Sequence, residues 1–410
     1  MRLTVCFLMA WSSLALGQDH WVSTWAASPQ PPFTFPGQPN ASPKSLSDQT
    51  VRMIVRASIG GKRTRLTLSN AYGTKVLTIG AAHIALRDKE SAIVPSSDRV
   101  LKFAGKPSFT IPPGALAISD PVDLDIPKLA DLVISVYVPN DPGTLSEHGL
   151  GLHTTYIAPG DATGKTALAD ASKDQAWYWI SSVDVLAPAN YALIVAFGDS
   201  ITDGATSTPD ADRSWPSIFA ARLQANPATA HLAIVNQGIS GNGVLSDIVG
   251  TNALARFDRD VLMQPGVKYV TIMEGINDVG VSLGAGPFAR PGSAPVTAED
   301  LIAGYKQLIE RAHARGVKVI GCTLTPYLGA AYASEKGEAV RAAVNDWIRS
   351  SGAYDAVVDF DATTRDPENP KQLRPAYNLT DHLHPNDAGY KAMADAIDLS
   401  IFSDRPARKP

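Results

Sequence analysis

The stretch YALIVAFGDSITDGA, residues 191–205, decides the fold predicted for the C-terminal half of the chain. It begins as an apolar run and ends in a turn that contains glycine, aspartate and Ser200. Alternation of apolar strands with amphipathic helices is typical of a parallel sheet covered by helices. We therefore predict an α/β domain over residues 187–405. Four further apolar runs repeat the pattern: LAIVNQ (232–237), VKYVTIMEG (267–275), VKVIGCTLT (317–325) and AVVDFD (356–361).

The clearest helix is predicted between the third and fourth of these strands. Its apolar residues from Leu301 to Ala312 recur at helical spacing and form one stripe. Thr297 is suited to cap its first turn with Asp300 as the capping-box partner, and Gly316 is suited to the position just after its end.

The N-terminal half has a different periodicity, and we predict a β-sandwich-like, all-β domain over residues 18–186. Short alternating segments are separated by Gly, Pro and Asn clusters, which is typical of antiparallel sheets. In the first segment Val51, Met53 and Val55 would face one side, while Arg52 and Arg56 face the other, as in a half-buried sheet. The segments are VRMIVRASI (51–59), TRLTLSN (64–70) and DLVISVYVP (131–139).

The first residues predict export of the protein. Residues 1–17 combine a basic start, an apolar stretch and small residues at the end, as in a secretory signal peptide. No later segment is apolar for long enough to span a membrane, so we expect a secreted, extracellular protein without a membrane span. Residues 406–410 are interpreted as a C-terminal tail. Asn40 and Asn378 begin sequons that matter only in a host that glycosylates.

Composition excludes some function classes. The formal net charge is −4, and no stripe of Lys and Arg is interleaved with aromatic residues, so nucleic acid is not an expected partner. The chain has two cysteines, and Cys6 lies in the predicted signal peptide. Cys322 therefore has no intrachain partner, and we expect it to be a buried structural thiol.

Polar residues follow several predicted strands at the point where each strand ends. Ser200 follows the first strand, glycines 238 and 241 follow the second, and Asn277 follows the third. The segment NLTDHLHPNDAGY (378–390) follows the last. Because the carboxyl ends of parallel strands meet at one edge, we expect these residues to converge there.

A serine becomes a nucleophile when a histidine takes its proton and an acid orients that histidine. Of the eight histidines, His382 and His384 lie in the segment at the predicted edge, and the others are interpreted as structural or exposed. Asp381 stands three residues before His384, a spacing that lets its carboxylate reach the ring. We favour His384 as the base, with His382 as the alternative.

In combination, these blocks resemble those of the SGNH, or GDSL-type, hydrolase superfamily. The matching stretches are GDSIT, NQGISGN, GIND and DHLH, in that order. The resemblance implies a flavodoxin-like α/β/α sandwich with Ser200 as nucleophile, His384 as general base and Asp381 as its orienting acid. It also implies an oxyanion hole made by the backbone N–H groups of Ser200 and Gly241 and the side chain of Asn277. It implies neither a metal nor another cofactor.

The function expected from this resemblance is hydrolysis of carboxylic esters through an acyl-enzyme. Small-acyl esters of carbohydrates, such as acetyl esters, are the favoured substrates, whether small molecules or polysaccharides. A lipase or lysophospholipase activity is the alternative. The segments STWAASPQ (23–30) and SNAYGT (69–74) resemble the leading β domain of some secreted members.

Two hypotheses concern the parts around the site. The stretch AWYWI (176–180) would be a binding platform if the chain were a carbohydrate-binding protein with an inactive hydrolase fold. The Gly- and Pro-rich segment LGAGPFARPGSAP (283–295) is expected to wall the pocket and set acyl size.

Overall fold

Antiparallel strands build the N-terminal half of the protein. The computed structural model describes residues 18–33, 45–283 and 294–402. Within them, the first fifteen strands are β1 His20–Ala26, β2 Gln49–Arg56, β3 Gly61–Ser69, β4 Leu77–Ile79, β5 Ala81–Leu86, β6 Arg99–Val100, β7 Phe109–Ile111, β8 Leu116–Ile118, β9 Val122–Ile126, β10 Asp131–Val138, β11 Glu147–His148, β12 Thr155–Pro159, β13 Ser172–Asp174, β14 Trp177–Tyr178 and β15 Ile180–Ala187.

Two large sheets share a buried core in this half. One has the order β1-β15-β3-β8, with β9 also on β3, and the other has the order β13-β12-β2-β10-β5-β6. Val51, Met53 and Val55 of β2 and Leu66 and Leu68 of β3 belong to the same core. The predicted sandwich-like β domain is confirmed. The pairs β4–β7 and β11–β14 form small separate ribbons.

One detail of the β2 prediction is wrong, because this strand is buried on both faces. Arg52 is fully buried, and its guanidinium donates to Ser135 Oγ at 2.8 Å and to the carbonyl oxygens of Ser91 and Lys165 at 2.8 and 2.7 Å. Burial lowers the pKa of Arg52 to about 10. Loop carbonyls therefore cover a face that the alternation predicts to be exposed.

A parallel sheet organises the C-terminal half. Its strands are β16 Ala192–Gly198, β17 Leu232–Gly238, β18 Val267–Met273, β19 Lys318–Cys322 and β20 Ala356–Val358. Their order, β17-β16-β18-β19-β20, is the flavodoxin-like order. The predicted α/β fold is thereby confirmed. The helices are α1 Ser200–Asp203, α2 Trp215–Ala225, α3 Ala253–Phe257, α4 Ile276–Leu283, α5 Ala298–His313, α6 Glu335–Ser350, α7 Phe360–Thr364 and α8 Asp387–Ala396.

The ends of α5 have the predicted chemistry. The Thr297 side chain accepts from the Asp300 N–H, and the Asp300 carboxylate accepts from the Thr297 N–H, which is a complete capping box. Gly316 has φ +70° and supplies the left-handed residue that a helix end of this type requires. None of the described helices is long and apolar enough to cross a membrane.

The two halves pack together along β17. Ser58 Oγ accepts from the Ile234 N–H at 3.2 Å, and Ser28 Oγ donates to Gln237 Oε1 at 2.5 Å. The buried apolar core is continuous through both halves. The predicted division at 186/187 falls at the end of β15. The predicted signal peptide, Asn40, residues 406–410 and most of the predicted pocket loop (284–293) lie outside the described residues.

A second connection is a charged cluster around His153. Its Nε2 lies 3.1 Å from Asp212, and its Nδ1 lies 3.6 Å from Asp210, which is an ion-pair distance rather than a hydrogen bond. Arg56 pairs with the other oxygen of Asp212 at 2.5 Å. Burial opposes a charge on the ring, but the carboxylates outweigh it and raise the pKa of His153 to about 9. The loop that carries both aspartates is thus fastened to the β domain.

This cluster predicts a loss of stability in mild alkali. The pKa of His153 is higher in the folded than in the unfolded protein, so its protonated ring stabilises the fold. This stabilisation is complete below about pH 6.5 and is lost as the pH rises to about 9. It amounts to about 3 kcal/mol. The free energy of unfolding in urea should be measured between pH 6 and pH 9. It should fall less steeply with pH in His153→Gln than in the wild-type protein. In His313→Gln, at an exposed residue, it should fall as in the wild type. An unchanged slope in His153→Gln would contradict the assignment.

Candidate active site

Ser200 is the first residue of α1, and only Asp199 separates it from the end of β16. The Asp199 side chain caps this one-turn helix by accepting from the Ile201 N–H at 3.0 Å, and Gly204 ends it with φ +109°. Asp199 is buried, and burial raises its pKa to about 7. The backbone around Ser200 is therefore fixed by a cap at one end and a left-handed glycine at the other.

A chain of hydrogen bonds joins Ser200, His384 and Asp381. The distance from His384 Nε2 to Ser200 Oγ is 2.8 Å, and the distance from His384 Nδ1 to Asp381 Oδ2 is 2.6 Å. A carboxylate only accepts, so we assign the ring hydrogen to Nδ1. Nε2 is then left with a lone pair that faces the Ser200 hydroxyl.

The loop itself holds Asp381 in place. Its second oxygen accepts from the N–H groups of Leu383 and His384, both at 3.0 Å. Partial burial opposes the charge, but these hydrogen bonds and the His384 ring hold the pKa of Asp381 well below its usual value. The carboxylate is ionised at neutral pH and orients the imidazole.

His382, the alternative base, is directed elsewhere. It has φ +57°, and its Nδ1 and backbone N–H are both hydrogen-bonded to the Asn378 side chain, at 3.0 and 3.1 Å. Its ring packs beside Gly329, where a side chain would clash with it. The structure therefore places His384, and not His382, beside Ser200.

Asn277 and Gly241 lie at the ends of the neighbouring strands and face the same cavity as Ser200. Asn277 Nδ2 donates to the Asn242 carbonyl at 2.8 Å, and Asn277 Oδ1 accepts from the Tyr332 hydroxyl at 3.2 Å. An amide nitrogen has two hydrogens, so one N–H remains for a ligand. The Asn242 carbonyl only accepts, so it fixes which end of the amide is the nitrogen.

Arg256 lies beneath the site, fully buried, and sequence reasoning missed it. Its guanidinium carbon stands 4.0 Å from the centre of the Phe197 ring. Nothing in the stretch ALARFDRD distinguishes this arginine from a surface residue. Its partners are the carbonyl oxygens of Gly198 (2.9 Å) and Gln237 (2.7 Å), Asn242 Oδ1 (2.8 Å), Ser28 Oγ (3.0 Å), Glu274 (3.2 Å) and Asp260 (3.3 Å).

His148 is a second residue whose position the sequence did not reveal. Its Nε2 lies 3.0 Å from Asp203 Oδ1, and its Nδ1 lies 3.0 Å from the Ser28 carbonyl. Both neighbours are acceptors, so the ring carries a hydrogen on each nitrogen. Burial opposes this charge, but the Asp203 carboxylate outweighs it and the pKa of His148 is raised.

Asp203 connects His148 to the segment NQGISGN (236–242), which we call the glycine block. Its Oδ2 accepts from the Ser240 N–H at 2.9 Å and from Ser240 Oγ at 2.7 Å. Ser240 immediately precedes Gly241, which has φ +82°. A histidine of the β domain thus helps to fix the backbone beside one of the predicted oxyanion donors.

A cavity of about 330 Å³ opens over Ser200 and is lined by both halves of the protein. The α/β half supplies a mostly apolar wall that includes Ile248, Val249, Val281, Tyr332 and Leu383. The β half supplies a mixed wall that includes Gln30, Phe33, Glu147, Leu150, Asp174 and Ala176.

The stretch AWYWI does not form a surface platform. Tyr178 and Trp179 are buried, and Trp177 stacks against His148 with ring centres 5.6 Å apart. These aromatic residues fill the interior instead. In the described part of the chain, no group of three or more His, Cys, Asp or Glu side chains is placed to hold a metal ion.

Comparison with known proteins assigns the α/β half to a family. Residues 196–392 match the GDSL-like lipase/acylhydrolase family. No curated protein matches the chain.

Several solved structures are similar to about half of the chain. An acetyl xylan esterase from Geobacillus stearothermophilus is 25% identical, with 53% of this chain and 97% of that chain covered and a TM-score of 0.40. An α/β hydrolase from the metagenome of Lake Arreo, Spain, is 25% identical, with 50% and 92% covered and a TM-score of 0.39. A GDSL-like lipase from Bacteroides thetaiotaomicron is 22% identical, with 51% and 87% covered and a TM-score of 0.36.

A parallel α/β domain that carries these sequence blocks at its strand ends defines a carboxylic ester hydrolase. Residues 196–392 are therefore a domain of the SGNH/GDSL hydrolase superfamily.

The geometry of Asn277 predicts a large kinetic effect of its removal. If its free N–H stabilises an oxyanion, Asn277→Ala should lower kcat by roughly 10²–10³. Steady-state hydrolysis of p-nitrophenyl acetate measures this, with exposed Asn369→Ala as the matched control. A near-wild-type kcat in a folded Asn277→Ala protein would remove this residue from the oxyanion hole.

Proposed function

We propose that the protein is a secreted serine esterase that hydrolyses neutral, small-acyl esters of carbohydrates through an acyl-enzyme. The observation that carries the proposal is the hydrogen-bonded chain from Asp381 through His384 to Ser200 at the floor of a cavity. Residues 1–17 support export. A mature N-terminus at Gln18 in protein recovered from the medium tests the export step, and a start at Met1 would contradict it.

The first half-reaction forms the acyl-enzyme. Ser200 Oγ attacks the ester carbonyl carbon while His384 Nε2 takes the hydroxyl proton. The resulting imidazolium is stabilised by Asp381, whose carboxylate already contacts Nδ1. The negative charge on the former carbonyl oxygen is met by the backbone N–H groups of Ser200 and Gly241 and by the Asn277 amide.

The second half-reaction releases the acid. It begins after the first half-reaction has ended. In that step, collapse of the first tetrahedral intermediate breaks the bond to the alcohol oxygen, the alcohol leaves with the proton from His384, and the acyl group stays on Ser200. Water then attacks the acyl-enzyme, again as His384 takes a proton, and the carboxylic acid leaves as Ser200 recovers its hydrogen. Apart from the ester and water, the groups that take part in these steps belong to this chain.

The described lining of the cavity supports a neutral substrate. It contains the carboxylates Glu147 and Asp174, and none of its described residues is Lys or Arg. Among these described residues a phosphate group would find no Lys or Arg to pair with, which disfavours a lysophospholipid. A volume of about 330 Å³ is near the lower end for ligand pockets and favours a short acyl group.

A longer-chain acylhydrolase activity is the second candidate. The wall formed by Ile248, Val249, Val281 and Leu383 is apolar and adjoins the site, so it offers contacts to an acyl chain. Acyl chain length separates the two candidates.

Hydrolysis of p-nitrophenyl esters from acetyl to palmitoyl tests the proposal. We expect the highest kcat/KM for acetyl and a loss of at least 10³-fold in Ser200→Ala, because the nucleophile is removed. Exposed Ser400→Ala is the matched control. Equal rates in Ser200→Ala and wild type would refute the serine mechanism, and a preference for palmitoyl would replace the small-acyl substrate by the long-chain one.

A further inference from the structure

Gln30 carries a buried amide that faces the catalytic cavity. The residue is only 6% exposed, and it lines the same cavity as Ser200 and His384. Its side chain forms no hydrogen bond with any residue of the described ranges. A polar group that a ligand covers needs a partner, so an amide that borders the cavity favours a ligand that can form hydrogen bonds with it.

The backbone around Gln30 is fixed in place. Gln30 forms a two-hydrogen-bond bridge with Glu147, with N···O distances of 2.7 and 3.0 Å. The preceding carbonyl, of Pro29, accepts from Arg259 at 3.2 Å, and Ser28 is held by Arg256. The amide therefore projects from a rigid segment, which is what selective recognition of a ligand requires.

Asp174 provides an acceptor in the wall of the same cavity. Its carboxylate accepts from the Tyr178 hydroxyl at 2.5 Å and from the Gln175 N–H at 2.7 Å. Each oxygen has a further lone pair, so the group still accepts from a donor in the cavity. Because it carries negative charge and only accepts, it suits a hydroxyl and repels an anion.

The chemistry of the two side chains identifies the ligand group. An amide both donates and accepts, and a carboxylate accepts, so neighbouring hydroxyl groups satisfy both. An alkyl chain placed here would leave the Gln30 amide buried and unpaired, at an energetic cost. The apolar wall of the α/β half suits the acyl group, whereas this polar wall of the β half suits the alcohol.

From these contacts we propose that Gln30 and Asp174 form a subsite for the hydroxyl groups of the alcohol part of the ester, which is a sugar or a similar polyol. This subsite deepens the proposed function and rests on it. It also assigns the β domain a part in substrate selection, since both residues belong to that domain.

The test compares two acetyl esters that share the acyl group and differ in the alcohol. The measured quantity is the ratio of kcat/KM for methyl 6-O-acetylglucopyranoside to kcat/KM for p-nitrophenyl acetate. Gln30→Leu should lower this ratio by about tenfold, because one buried hydrogen bond to a sugar hydroxyl is lost. The matched control is Gln307→Leu, the same substitution at an exposed residue of α5 that does not line the cavity, and it should leave the ratio unchanged.

A second measurement uses the wild-type protein, so that it stands even if Gln30→Leu does not fold. Mono-deoxy analogues of the sugar ester should include one whose kcat/KM is about tenfold lower, and where Gln30→Leu folds this difference should vanish. No loss with any analogue, or no hydrolysis of the sugar ester at all, would overturn the subsite. Failure of the proposed function is separate, since it would appear as hydrolysis of p-nitrophenyl acetate that survives Ser200→Ala.

Discussion

The geometry of the site depends on the hydrogen bonds that the Arg256 guanidinium donates. It binds the carbonyl oxygens at the ends of β16 and β17, the side chain of Asn242 and the Ser28 hydroxyl of the β domain. A planar group with five donors can hold several acceptors at fixed angles, which lysine cannot do. Asn242 in turn accepts from Asn277, so one buried charge connects the serine turn, the glycine block and the amide of the predicted oxyanion hole.

Contacts across the boundary between the two halves make the β domain part of the candidate active site. His148 and Asp203 form a buried pair across the domain boundary, and Asp203 holds Ser240 beside Gly241. The β domain also walls the cavity in which Ser200 lies. In the proposed function, catalysis by the α/β half and recognition of the alcohol by the β half share one cavity. A buried ion pair is expensive to break, so we expect the two halves to keep this arrangement.

Much of the fold was predictable from local patterns, and part of the site was not. The spacing of apolar residues predicted the β architecture of one half and the α/β architecture of the other. The spacing of Asp381 and His384 predicted their contact. Arg256 and His148 were missed because their contacts are with residues far away in sequence: Arg256 and Ser28 are 228 residues apart. Gln30 was missed because the cavity that it lines is formed by residues of both halves. The alternation within β2 predicts an exposed face for Arg52, because the residues of this strand carry no information about the loop carbonyls that cover it.

In the proposed mechanism the acyl-enzyme forms on Ser200, and the reactivity of this serine can be measured directly. Wild-type protein should be treated with an alkyl fluorophosphonate, followed by intact-mass analysis and peptide mapping. We expect a single adduct on Ser200, none in Ser200→Ala, and much slower labelling in His384→Gln, because the base is lost. Labelling of another residue, or an adduct that persists in Ser200→Ala, would contradict the proposed mechanism.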